Sequence, residues 1–153
     1  MERILVATDG SASSAEAVSI GVELATEHEA ELIFVHVVPT VDVVPSGAFG
    51  MCSAFPHEPS HEDRALLEDA AAVAAEHHVA STTVLLRGET VDELVRYADS
   101  HEVDLIVVGT RGHGAIAGAL LGSVSRGILL ETKRRVLIVR PAATVPIAVG
   151  LGL

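Results

Sequence analysis

The apolar run Val103-Asp-Leu-Ile-Val-Val108 breaks directly into glycine, and the stretch that follows, GTRGHGAIAGALLGSVSR from Gly109 to Arg126, constrains the fold more than any other. A short run rich in Val and Ile that ends at glycine has the pattern of a buried parallel strand emptying into a loop. Glycines recur at 109, 112, 114, 118 and 122, followed by Ser123, Val124 and Ser125. Such a loop can turn backbone N–H groups inward with no Cβ in the way, and the helix behind it adds its positive dipole end. The stretch predicts an anion cradle, with phosphate as the natural ligand. The competing reading is a tight turn and a close helix contact with no ligand at all.

Three motifs compete for these residues. A Walker P-loop needs a lysine before its Ser or Thr, and Gly122-Ser123 has none. Gly112-His113-Gly114-Ala115-Ile116-Ala117 satisfies GxGxxG/A, but a dinucleotide fingerprint belongs in the first βα unit, and this one lies near the end of the chain. The third pattern is Gly109-x2-Gly112-x9-Gly122-Ser123, with Ser125 two residues on. In spacing, and in the wording LLGSVSRGIL around it, it resembles the signature G-x2-G-x9-G-[ST] of the ATP-binding universal stress proteins. The opening TDGSxxS at 8–14 is similar to that family as well.

The rest of the chain alternates strand and helix patterns. Ile4–Thr8 reads as a first strand, and Asp9-Gly10-Ser11 turns toward a helix over 13–28, with Ser13 and Glu16 in capping-box spacing. Leu32–Val37 is a second strand, so the order begins β-α-β, with the crossover helix that a parallel pair requires. Leu66, Leu67, Ala70, Ala71 and Ala74 mark a helix over 61–77, and Thr82–Arg87 a third strand. Thr90 and Glu93 suggest another capping box for a helix bearing Val91, Leu94, Val95 and Ala98. A last helix over 122–132 and a strand at Val136–Val139 complete the alternation. Five apolar strands and four helices predict a doubly wound α/β domain with its ligand at the carboxyl ends of the strands.

From Pro39 to Pro59 the pattern collapses, with prolines at 39, 45, 56 and 59. A flexible loop over 39–59 is expected, either a lid over the ligand or a disordered insert. Inside it, His57-Glu-Pro-Ser-His61 spells HExxH, a zinc motif that works only on one continuous helix. Pro59, with Ser60 and Asp63 in capping spacing, starts the helix near 61 and leaves His57 outside, so no metal is expected. The remaining histidines, His36 among them, read as ordinary core or surface residues.

Composition limits the function. The 153 residues, 49% of them apolar, suit one domain with a real core, and a net charge of −11 argues against non-specific nucleic-acid binding. One cysteine, Cys52, and a start that enters a strand without a signal-peptide layout predict a cytoplasmic protein. No uncharged run is long enough to cross a bilayer, so no membrane partner is expected.

The resemblance spans residues 2–140 and implies the finer expectations. The fold would be a five-stranded parallel sheet of order 3-2-1-4-5 with helices on both faces, of adenine-nucleotide alpha-hydrolase-like type. ATP would be the ligand, with Mg²⁺ offsetting phosphate repulsion. Asp9 and Val37 would border ribose and adenine. Gly109, Gly112, Gly114, Gly122, Ser123, Val124 and Ser125 would hold the phosphates, with charge or donors from Arg111 and His113. The edge strand Val136, Leu137, Ile138, Val139 would join a homodimer. The apolar tail 141–153 departs from the family, whose members commonly stop soon after this strand. No catalytic constellation is visible, which favours a nucleotide sensor in stress response. A slow ATPase or adenylate hydrolase, and a ligand-free interaction module, stand as alternatives.

Overall fold

The computed structural model describes residues 1–47, 49–110 and 121–141. Its elements are β1 (Arg3–Ala7), α1 (Ala12–His28), β2 (Glu31–Val38), β3 (Val41–Pro45), β4 (Cys52–Pro56), α2 (His61–Glu76), β5 (Ser81–Arg87), α3 (Thr90–Ser100), β6 (Leu105–Gly109), α4 (Ser123–Glu131) and β7 (Arg135–Val139). Five strands form one sheet in the order β5-β2-β1-β6-β7, and every neighbouring pair is parallel. Counted along the main sheet alone, this is the expected 3-2-1-4-5 order.

Successive strand residues point to opposite faces, so each central strand feeds two cores. Ile4, Val6, Leu32, Phe34 and Val107 pack with Val18 and Val22 of α1 and Leu67 and Ala74 of α2. Leu5, Ile33, Val35, Ile106 and Val108 pack with Val91 and Leu94 of α3 and Ile128 of α4. Burial on both faces explains why β1 and β6 read as unbroken apolar runs rather than alternating ones. The start of β1 is pinned by Asp104, whose carboxylate accepts from the amides of Glu2 at 2.7 Å and Arg3 at 3.0 Å. Those two bonds hold its carboxyl below the usual range.

The helix starts correct two sequence expectations. Helix α1 is capped by Ser11, which accepts from the Ser14 amide at 3.2 Å, and not by a Ser13–Glu16 box. Gly10, at φ 80, turns the chain early enough to place Ser13 inside the first turn, where it is buried. Helix α3 is capped by Glu89, whose side chain accepts from the Asp92 amide at 2.9 Å; Thr90 is the first helical residue and Glu93 pairs with Arg96 instead. The third expected box holds: Ser60 and Asp63 cap each other's amides at the start of α2.

The predicted loop at 39–59 contains ordered structure. Val41–Pro45 and Cys52–Pro56 pair as an antiparallel hairpin, with Val41 opposite Pro56 and Pro45 opposite Cys52. Prolines sit at strand ends on both sides of this ladder, where a missing N–H does little harm. The hairpin leaves the carboxyl end of β2. It exposes Val43, Val44, Phe49, Met51 and Phe55.

Candidate functional site

At the carboxyl end of β1 the turn Thr8-Asp9-Gly10-Ser11 is laced by its own side chains. Asp9 Oδ1 accepts from the Ser11 amide at 2.9 Å, and the Ser14 hydroxyl accepts from the Asp9 amide at 3.3 Å while donating to the Ser11 carbonyl at 3.0 Å. This places the Asp9 carboxylate at the mouth of the sheet, half-buried. Asp9 thus serves the turn at the carboxyl end of β1.

At the end of β6, Gly109 lies under the first turn of α1, close enough that any side chain there would strike Ser13. Thr110 then joins three elements. Its amide donates to the Val139 carbonyl of β7 at 2.8 Å, its hydroxyl lies 3.4 Å from that of Ser13, and its carbonyl accepts from the Gly122 amide at 2.6 Å. The Ser125 hydroxyl reaches both the Thr110 carbonyl, at 3.2 Å, and the Gly122 carbonyl, at 3.1 Å. The start of α4 is thereby bolted to the end of β6.

Helix α4 begins with Gly122 as its cap, and among the described residues no side chain caps it. Its first ladder bond runs from Arg126 to the Gly122 carbonyl, at 3.1 Å. The amides of Ser123, Val124 and Ser125 therefore fall outside the ladder, as in any helix's first turn, at the positive end of the dipole. Ser123 is exposed. An anion is the ligand that such an end suits best.

Burial marks the same end of the sheet. Among the described residues the buried polar side chains are Thr8, Ser13, Ser14, Thr110 and Ser125. All belong to the carboxyl-end turns of β1 and β6 or the first turns of α1 and α4. Apolar surface flanks them, since Ala7, Val37 and Val124 are half-buried members of one cluster on the α3–α4 side. The fold thus brings Asp9, Val37, Gly109, Gly122, Ser123, Val124 and Ser125 to one end of the sheet. Arg111, Gly112, His113 and Gly114 lie outside the described residues.

Sequence reasoning missed Thr110, for which its place directly after Gly109 was the available signal. It also missed His36. This residue sits on β2 between the Thr8 carbonyl, 2.8 Å from Nδ1, and the Asp63 carboxylate, 3.0 Å from Nε2. Nothing local in a strand sequence reveals a partner on a helix many residues later. Helix α2 begins at His61, as expected, so His57 lies before its Ser60 cap and the two histidines of HExxH do not share one helix.

A parallel sheet whose order reverses between β1 and β6, with helices on both faces, defines a doubly wound α/β domain. The chain belongs to the universal stress protein family, which matches residues 1–140. Universal stress protein YxiE of Bacillus subtilis is 37% identical over 145 residues, covering 90% of this chain and 98% of the relative. A universal stress protein of Methanocaldococcus jannaschii is 32% identical over 142 residues, covering 91% of this chain and 82% of the relative. Among solved structures, a universal stress protein in complex with cAMP superposes with a TM-score of 0.71 at 30% identity, covering 92% of this chain and 98% of that one.

Proposed function

We propose that this protein is an ATP-binding stress-response regulator, a cytoplasmic homodimer whose surface changes with the bound nucleotide. The observation that carries the reading is the start of α4, uncapped by any side chain among the described residues and held by Gly122 and Ser125 against the end of β6. The amides of Ser123, Val124 and Ser125 fit phosphate oxygens, and the family resemblance gives Arg111, Gly112, His113 and Gly114 the same ligand. Gly109 contributes by letting α1 approach. Asp9 meets the ribose, and Val37, with Ala7 and Val124, offers the base an apolar wall. The related stress protein solved with cAMP supports an adenine nucleotide as the ligand class.

Magnesium fits as a passenger on the phosphates. Among the described residues no three acidic, histidine or cysteine side chains converge on a metal-sized site, and Mg²⁺ commonly keeps its waters and takes few protein ligands. It would neutralise phosphate charge near a chain of net charge −11. For the dimer, β7, the edge of the main sheet among the described residues, carries half-buried Val136, Leu137 and Ile138, and α4 beside it exposes Leu129 and Leu130. An apolar edge strand next to an apolar helix surface is a template for a second copy.

Calorimetric titration of MgATP into the purified protein tests the reading, beside Gly122→Val. Gly122 has φ −74, so the backbone accepts a side chain there while the new methyls crowd the cradle. Stoichiometric binding that is lost in a folded variant supports the site. Absence of binding in the parent, once co-purified ligand is stripped, overturns it. Recovery of intact ATP after prolonged incubation separates the regulator from a hydrolase.

A further inference from the structure

Four side chains outside the nucleotide site line up from the hairpin to the end of β1. Asp42 of β3 accepts from His57, its Oδ1 lying 2.9 Å from Nδ1. His57 Nε2 is buried, beyond hydrogen-bond reach but 3.9 Å from Asp63 Oδ2. Asp63 Oδ1 lies 3.0 Å from His36 Nε2, and His36 Nδ1 lies 2.8 Å from the Thr8 carbonyl, directly before Asp9. His57 also closes the hairpin's base, since its amide donates to the Thr40 carbonyl at 3.0 Å and its carbonyl accepts from Arg87 of β5.

Donor and acceptor bookkeeping assigns the protons. A carbonyl and an ionised carboxylate only accept, so an imidazole between two of them satisfies both only with a proton on each nitrogen. His36 meets this condition, between the Thr8 carbonyl and Asp63; His57 bonds Asp42 through Nδ1 and faces Asp63 only as a charge, 3.9 Å from Nε2. Asp63 is ionised at neutral pH: burial alone would raise its carboxyl, but bonds from the Ser60 backbone, His36 and the Ser60 hydroxyl bring it down to about 2. The side chains of His36 and Asp63 are 11% and 17% exposed, so water replaces their contact poorly. Arg87 sets one positive charge against a cation at His57. The carboxylates of Asp42 and Asp63 oppose that effect, and two acids balance two imidazolium ions.

We propose that His36, Asp63, His57 and Asp42 form a proton-held latch that fastens the β3–β4 hairpin to the carboxyl end of the sheet beside Thr8 and Asp9. Loss of one ring proton turns a lone pair of His36 toward an oxygen and removes the positive charge of His57 from between two carboxylates, and the hairpin loosens. The latch makes hairpin closure sensitive to the protonation of these two imidazoles. It does not depend on the identity of the ligand.

The test uses the full chain without nucleotide. Nitrogen-15 NMR of the histidine rings reads the protons directly, and hydrogen exchange of the Val41–Val44 and Ser53–Phe55 amides, corrected for the intrinsic pH dependence, reads hairpin closure. With the latch, His36 carries both ring protons in mildly acidic solution, and hairpin protection falls roughly tenfold or more as one of them leaves. Asp63→Asn adds a second measurement. Its amide keeps an oxygen for the Ser60 cap and offers an N–H to a neutral His36, so the fold is kept and hairpin protection follows His36 far less. A bare nitrogen on His36 throughout, or hairpin protection that ignores both histidines while they titrate, overturns the proposal. Unchanged pH dependence in a folded Asp63→Asn overturns it too.

Discussion

Gly109 and Ser13 touch where β6 meets α1: a β-carbon built on Gly109 would lie 2.4 Å from Ser13 Cβ and 2.7 Å from its backbone carbonyl carbon. A backbone atom in the first turn of a helix cannot step aside as a flexible side chain can. Gly109→Ala is therefore expected to lower stability by about 2–3 kcal/mol, read as a lower denaturant midpoint. Because the displaced turn also holds Ser14 and Asp9, MgATP affinity should fall with it.

Two other glycines separate stability from binding. A β-carbon on Gly21 of α1 would lie 2.5 Å from Val6 Cγ2, and one on Gly127 of α4 would lie 2.7 Å from Val91 Cγ2. Alanine adds about 1 kcal/mol of helix propensity, against an overpacking cost of about 1–3 kcal/mol, so each variant should lose about 1 kcal/mol net. Only Gly127→Ala shifts the helix whose start forms the cradle. Calorimetry should find weaker MgATP binding in Gly127→Ala and near-parental binding in Gly21→Ala.

Ser125 is 2% exposed and shares its hydroxyl between the carbonyls of Thr110 and Gly122. Ser125→Ala leaves those carbonyls with fewer donors and should cost about 1–2 kcal/mol by urea unfolding. A larger loss in nucleotide affinity than Ser19→Ala, an exposed helix serine bonded to the Ala15 carbonyl, is the accompanying outcome.

Asp63 links stability to acid. Its carboxyl is brought down to about 2 in the folded chain from an ordinary 3.8, so the folded state favours the ionised form. The stabilisation is complete above pH ~4 and disappears as pH falls toward 2, up to about 2 kcal/mol in all. Urea midpoints of the parent and Asp63→Asn should converge over that acid window and stand furthest apart just above it, where His36 still carries both ring protons.

The dimer reading makes a paired forecast for β7. Adjacent strand residues turn their N–H groups to opposite sides, so one of Val136 and Leu137 donates toward β6 and the other toward the free edge. Proline at the outward position should give monomers in sedimentation with a folded core. Proline at the inward position should cost about 1–3 kcal/mol of stability by removing a ladder bond. Two stable dimeric variants would argue against edge pairing.

Much of the architecture was legible because its signals are local. Strand runs such as Ile4-Leu5-Val6, the Ser60–Asp63 box and the stripe Val91, Leu94, Ala98 depend on residues within one element, and each appears where its pattern points. The hairpin was less legible because its apolar residues, Val41, Val43, Val44 and Phe55, are largely exposed and broken by prolines, so no buried face imposes a period. Ser11 and Glu89 show a finer limit, because several adjacent residues could cap each helix and the turn geometry chose between them.

The amino-acid sequence by itself determined a parallel α/β alternation and a glycine and serine rich return after the fourth main-sheet strand, since periodicity and turn chemistry act over a few residues. The tertiary structure alone decided what those residues meet. Ser13 facing Thr110, Gly109 beneath α1 and His36 between Thr8 and Asp63 join segments far apart in the chain. Such contacts depend on strand order and register, which appear only once the whole sheet is assembled.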